Sequence, residues 1–202
     1  MTAMRFLALG DSYTIGESVA PTERWPVQLA ALLCHEGLAL DEPHIIATTG
    51  WTTDELSAGI DRADPRGPFE LVSLLIGVNN QYRGRDLGEY RAQFAGLLAR
   101  ALAFAGGSPT RVLVLSIPDW GVTSFAQGRD RAAIGRAIDQ FNSVNHAAAE
   151  QTGTAYVDVA PISRQAGLDP ALIAGDGLHP SGKMYAEWAR LVLPAARAAL
   201  IR

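Results

Sequence analysis

The sequence predicts an α/β fold, a three-layer αβα sandwich around a five-stranded parallel sheet. Short apolar runs alternate five times with longer amphipathic stretches along the 202 residues, the order expected of a layered α/β domain. The clearest of those runs is apolar at successive positions rather than at every second one, the mark of a strand covered on both faces. No repeat, low-complexity segment or linker breaks the alternation, so residues 1–202 read as a single domain.

Taken in order, residues 5–9 form the first strand and residues 25–37 a helix with Leu29, Leu32 and Leu33 on one face. Residues 44–47 form the second strand. Residues 51–64 form a helix, with Thr52 and Glu55 three apart as in a capping box. Residues 71–76 are the third strand. In the helix over 87–104, Tyr90, Phe94, Leu97, Leu98 and Ala101 follow a 3.6-residue period. Residues 111–117 are the fourth strand, and Ile134, Ile138, Phe141 and Val144 mark the next helix. Residues 154–157 are the fifth strand. Residues 183–201 close the chain as a helix that Ser181 caps and Pro194 is expected to bend or interrupt. Residues 64–68, 118–128 and 158–175 read as loops.

Composition narrows the function. Apolar residues make up 48% and charged residues 19%, with a formal net charge of −4. That balance leaves no basic patch for nucleic acid. No run approaches the roughly 20 apolar residues that span a bilayer, and the start of the chain lacks a signal-peptide pattern, so no membrane insertion and a cytoplasmic location are expected. Cys34 is the one cysteine; in its leucine- and alanine-rich stretch it reads as a small buried filler. His35, His44 and His146 are scattered without ligand spacing, so neither metal nor cofactor is expected.

Open parallel sheets bind ligands outside the carboxyl ends of their strands. The segments there are Gly10-Asp11-Ser12-Tyr13, Thr48-Thr49-Gly50-Trp51, Gly77-Val78-Asn79-Asn80 and, after a long loop, Asp176-Gly177-Leu178-His179-Pro180. Acyl transfer needs these residue types. A serine hydroxyl attacks once a base takes its proton. An imidazole is a suitable base near neutral pH, and a carboxylate on its other nitrogen fixes the tautomer. Backbone N–H groups of Ser12 and Gly50 and the amide of Asn79 are candidate donors to an oxyanion; glycine at 50 would allow a close backbone approach. Taken singly, each residue has a plainer reading: Ser12 as a helix cap, Gly50, Asn79 and Asn80 as turn residues, Asp176 as a loop cap. Tyr13, Trp51, Asn80 and Tyr82 are candidate substrate contacts, and Trp51, Tyr82, Trp120 and Phe125 either line an acyl or alcohol pocket or pack loops. Arg83 and Arg85 attract an anionic leaving group or sit in a solvated loop.

Four segments resemble the blocks of the SGNH (GDSL-type) hydrolase family. Phe6-Leu7-Ala8-Leu9-Gly10-Asp11-Ser12 resembles the nucleophile block and Ala47-Thr48-Thr49-Gly50 the oxyanion-glycine block. Leu74-Leu75-Ile76-Gly77-Val78-Asn79-Asn80 resembles the oxyanion-asparagine block, and Asp176-Gly177-Leu178-His179-Pro180 the block with Asp and His three apart. The resemblance implies a flavodoxin-like sheet, a Ser12–His179–Asp176 triad, an oxyanion hole of Ser12, Gly50 and Asn79, and a small-molecule acyl ester substrate, with short-chain or O-acetyl groups favoured. Acyl transfer at the same site and carbohydrate binding without catalysis are the alternatives. Tyr13 stands where the family name implies leucine, and Asn80 where the family usually has aspartate. The pentapeptide G-x-S-x-G is absent, against the α/β-hydrolase elbow. Receiver and nucleotide-binding modules, the other users of such a sheet, lack their motifs here: no G-x-G-x-x-G follows the first strand.

Overall fold

The computed structural model describes residues 3–201. Five parallel strands form one sheet: β1 (Phe6–Gly10), β2 (His44–Ala47), β3 (Leu71–Leu75), β4 (Val112–Leu115) and β5 (Ala155–Val157), in the order β2-β1-β3-β4-β5. All residues of β1, β3 and β4 are buried, which accounts for their apolar character at successive positions, broken only by Ser73 in β3. From β1 the chain crosses to β2 on one side, then returns to β3 on the other. The loops leaving β1 and β3 therefore diverge, and a crevice opens at the carboxyl edge where Gly10 pairs with Leu75.

Among the described residues, eight α-helices flank the sheet: α1 (Ser12–Ile15), α2 (Trp25–His35), α3 (Thr53–Ala63), α4 (Val78–Tyr82), α5 (Leu87–Phe104), α6 (Arg131–Thr152), α7 (Ala160–Arg164) and α8 (Gly182–Leu200). α2 packs on α8; α3 packs on α5 and α5 on α6. Trp25, Trp188, Tyr185, Tyr90, Phe6 and Phe94 are fully buried between these layers and the sheet. Burying such large side chains is the main driving force for the sandwich, at roughly 25 cal/mol per Å² of apolar surface.

Most helix starts behave as their sequences require. Glu55 accepts the Thr52 N–H at 2.8 Å, completing the expected box one turn into α3. Asp130 accepts the Ala133 N–H at 2.9 Å at the start of α6, and Ser181 accepts the Met184 N–H at 3.3 Å at the start of α8. Three expectations are revised. Pro194 lies inside α8 without ending it; it and Arg190, whose carbonyl loses its partner, are both exposed, so water can satisfy that oxygen. Cys34 is exposed, not buried: it follows Leu33, and one residue turns the helix about 100° away from the buried Leu29–Leu33 face. Residues 118–128 and 158–175 are not plain loops, since they hold short 3₁₀ turns and α7.

Two buried asparagines on α6 extend this order to the loops. Asn142 both accepts from the Ile117 N–H (2.7 Å) and donates to the Ile117 carbonyl (2.9 Å), imitating a neighbouring strand just beyond β4. Asn145 accepts from the Tyr90 hydroxyl at 2.7 Å. The segment carrying Trp120 therefore leaves β4 at a fixed angle.

Candidate active site

The residues singled out from the sequence come to the β1/β3 crevice by different routes. Ser12 is the first residue of α1 and is buried. It is not the helix cap: Asp11 is, its carboxylate accepting the Tyr13 N–H at 3.0 Å. The plain reading of Ser12 as a cap is thereby excluded. Its neighbour Asp11 is wholly buried and has one oxygen without a partner. Burial pushes the Asp11 carboxyl up to about 7, against the lowering effect of backbone N–H groups.

Gly50 ends the turn after β2 with φ +86°, a conformation that suits glycine. Space around its missing Cβ is open, so the backbone conformation, not crowding, asks for glycine here. Asn79 sits in the first turn of α4, behind Gly77. Gly77 has φ +129°, and a Cβ there would meet the Tyr90 hydroxyl at 2.4 Å and Ile117 at 2.8 Å, so this close approach requires glycine. Asn79 Nδ2 donates to the Trp51 carbonyl at 3.0 Å, which commits one of its two N–H groups. The backbone N–H groups of Ser12 and Gly50 donate to no protein acceptor among the described residues.

Asp176 and His179 lie on the ordered loop before α8. Asp176 Oδ2 faces His179 Nδ1 at 2.6 Å, and its Oδ1 accepts the backbone N–H groups of Leu178 (2.9 Å) and His179 (3.0 Å). The Ser18 hydroxyl adds a bond to Oδ2 at 2.7 Å, from a backbone with φ +64°, which is uncommon outside glycine. Partial burial pulls the Asp176 carboxyl upward, but the hydrogen bonds from His179, Ser18 and the loop backbone outweigh it and hold the carboxyl well below its ordinary range. With Asp176 ionised, Nδ1 carries the proton and the opposite nitrogen of His179 is left as a base. His179 is buried, with the Tyr13 ring edge-on at 5.7 Å.

Ser12, Tyr13, Thr49, Gly50, Asn79 and His179 line one cavity of ≈ 170 Å³. Val78, Tyr82, Trp120, Phe125 and Leu178 complete its wall, so its surface is mainly apolar. The Ser12 hydroxyl and the His179 ring share this cavity but form no hydrogen bond to each other among the described residues. Such contacts are often loose without substrate, and a serine hydroxyl swings about a single χ1 torsion. No group of three or more metal-ligating side chains occurs among the described residues, and none of their helices is long and apolar enough to cross a membrane.

Of the candidate substrate contacts, Tyr13 and Tyr82 line the cavity. Trp51 and Asn80 do not. The Trp51 ring lies in the notch left by Gly59, where a Cβ would approach it to 2.2 Å, with Arg62 above it. Asn80 is buried behind the cavity, accepting the Thr53 N–H (3.1 Å) and donating to the Thr53 hydroxyl (2.8 Å). It ties α4 to the start of α3, a tie an amide makes in both directions and a carboxylate cannot. Arg83 and Arg85 are likewise committed elsewhere. Arg83 donates to the Gly50 carbonyl at 2.7 Å and pairs with Glu55, so it holds the Gly50 turn; Arg85 lies between Asp54 and Glu89. Ser18, Thr49 and Leu178 were not singled out from the sequence. Leu178 lies inside the Asp176–Pro180 block and Thr49 inside the Ala47–Gly50 block, while Ser18 carries no local signal.

Comparison with known proteins agrees with this architecture. The structure of TesA superposes with a TM-score of 0.75 at 22% identity, covering 97% of this chain and 99% of that one. Axe2, an acetylxylan esterase from Geobacillus stearothermophilus, gives 0.71 at 21% identity over 96% and 94%. LAE5, an alpha/beta hydrolase enzyme from the metagenome of Lake Arreo, gives 0.70 at 20% over 98% of each chain. Curated protein sequences give no match. The model of the GDSL-like lipase/acylhydrolase family matches residues 8–187, from β1 into α8. The chain thus belongs to the GDSL-like lipase/acylhydrolase family of carboxylic ester hydrolases.

Proposed function

We propose that the protein hydrolyses short acyl esters with Ser12 as nucleophile, His179 as general base and Asp176 as the group that orients His179. The observation that carries this reading is the 2.6 Å His179–Asp176 contact in the wall of the cavity that Ser12 also lines. The His179 nitrogen remote from Asp176 takes the Ser12 proton as Oγ attacks the ester carbon. The resulting oxyanion is received by the free N–H groups of Ser12 and Gly50 and by the uncommitted N–H of Asn79. Collapse expels the alkoxide, which takes the proton from His179. Water, deprotonated by the same ring, then releases the acid and restores Ser12.

The acyl preference follows from volume. An apolar cavity of about 150 Å³ holds a benzene-sized guest, and this one measures ≈ 170 Å³. Acyl groups from acetyl to about six carbons match it. The Axe2 likeness is compatible with O-acetyl substrates.

The test joins labelling to kinetics. A fluorophosphonate probe should modify Ser12, and Ser12→Ala should lose labelling and several orders of magnitude of kcat on 4-nitrophenyl esters of graded length. Full turnover by Ser12→Ala would discard the assignment.

A further inference from the structure

The aromatic wall of the cavity carries a cation that ester hydrolysis does not use. Tyr82, Trp120 and Phe125 pack against one another, with ring centroids 5.4 to 6.3 Å apart, along one wall. The Arg129 guanidinium carbon lies over all three rings, 5.3 Å from Tyr82, 5.4 Å from Trp120 and 5.3 Å from Phe125. An exposed arginine with no use for this position would extend into water. Here attraction to three π-faces folds it back over the cavity wall.

Its hydrogen-bonding capacity is nearly unspent. A guanidinium has five N–H donors, and the one protein acceptor Arg129 meets among the described residues is the Tyr82 hydroxyl, at 3.3 Å. No carboxylate lies within ion-pair distance of it among those residues. Arg83 and Arg85, nearer in sequence to the Asn79 block, are spent on Gly50, Glu55, Asp54 and Glu89. None of the residues lining the cavity carries a carboxylate, although the chain as a whole is acidic. The cavity that Ser12 lines thus has, stacked on its aromatic wall, a cation with free donors and no anion of its own.

We infer that Arg129 selects esters bearing an anionic group, a carboxylate or phosphate, on the part that lies along the Tyr82–Trp120–Phe125 wall. The inference rests on the esterase reading above and adds the substrate's charge to it. A planar guanidinium offers paired N–H groups that fit the two oxygens of such an anion. The three rings leave its edges to the ligand and hold it in place beforehand, which lowers the entropic cost of binding.

The test compares charged and neutral esters of similar shape. On the acyl side the pair is the mono-4-nitrophenyl ester of adipic acid against 4-nitrophenyl hexanoate. On the alcohol side it is 4-acetoxybenzoate against its methyl ester. Wild-type protein, Arg129→Gln and Arg129→Lys are measured at low and high salt. In one of the two pairs, Arg129→Gln should lower kcat/KM for the anionic member about fivefold, the upper range for a solvent-accessible charge pair. It should leave the neutral member within about twofold. Arg129→Lys should keep an intermediate preference, and salt should erode the wild-type preference. The pair that responds identifies the half of the ester lying on the rings. Equal loss on both members of each pair would reduce Arg129 to a packing residue, and unchanged ratios throughout would overturn the inference. Turnover of the neutral esters by wild type, lost in Ser12→Ala, reports separately on the esterase reading.

Discussion

Asp11 and Asp176 flank the same cavity from opposite ends of the chain and meet opposite fates. Asp11 lies at the end of β1 under the sheet edge, wholly buried, with one oxygen unpartnered. Burial raises its carboxyl to about 7. Asp176 sits on a surface loop with its side chain 30% accessible, and its two oxygens accept from Leu178, His179 and Ser18. It stays ionised well below the ordinary carboxylate range. Negative charge is thus stable where donors reach both oxygens of a partly exposed carboxylate and unstable where burial outweighs the few backbone donors and leaves one oxygen unpartnered. The negative charge that can stabilise an imidazolium lies on the hydrogen-bonded aspartate, although the buried one is next to the serine in sequence.

Substitutions at three positions test that contrast, the largest effect first. Asp176→Asn keeps the shape of the loop but removes the charge and permits the wrong His179 tautomer. Steady-state kinetics on a neutral short-chain ester should show kcat lower by on the order of 10³–10⁴; a loss under tenfold would mean that the Asp176–His179 contact only shapes the loop.

Asp11→Asn should act on stability instead. The wild-type carboxyl titrates near 3.8 when unfolded and near 7 when folded. The unfolded chain therefore binds fewer protons between those values, and wild-type stability declines as pH rises through that window. Asparagine retains an oxygen for the Tyr13 N–H and has no charge to bury. Denaturant unfolding should find it more stable than wild type at pH 8, with a gain on the order of 4 kcal/mol above whatever difference exists at pH 4. The same difference at both pH values would mean that the folded protein relieves the buried charge another way.

Ser18→Ala gives the smallest change. Losing its bond removes one of the donors that hold the Asp176 carboxyl low and fix it against His179, so kcat should fall only a few-fold, consistent with one lost hydrogen bond of about 1 kcal/mol. Ser18→Gly, which tolerates φ +64°, should show the same fall. A fall in Ser18→Ala with wild-type kcat in Ser18→Gly would reduce Ser18 to a loop-shaping residue.

Much of this molecule is local in origin and therefore written in the sequence. The five strands follow from apolar runs, and the helix starts from Thr52–Glu55 and Ser181. The elements of the candidate site at Ser12, Gly50, Asn79, Asp176 and His179 are legible because four short segments, each local in the chain, together resemble the blocks of the SGNH hydrolases. What long-range packing decides was not legible. Trp51 turns away because Gly59, eight positions along α3, leaves a notch for its ring. Asn80 is withdrawn because Thr53 offers both a donor and an acceptor across the fold. Cys34 faces water because its helix spends the adjacent face on α8. Ser18 reaches Asp176 across 158 residues, and Arg129 comes to rest on rings drawn from α4 and from the segment after β4. Periodicity and capping act within a few residues of chain, so the sequence alone determined the sheet, its helices and the chemistry at their ends. Which side chain enters the cavity depends on partners brought close only when the layers pack, and that the tertiary structure alone decided.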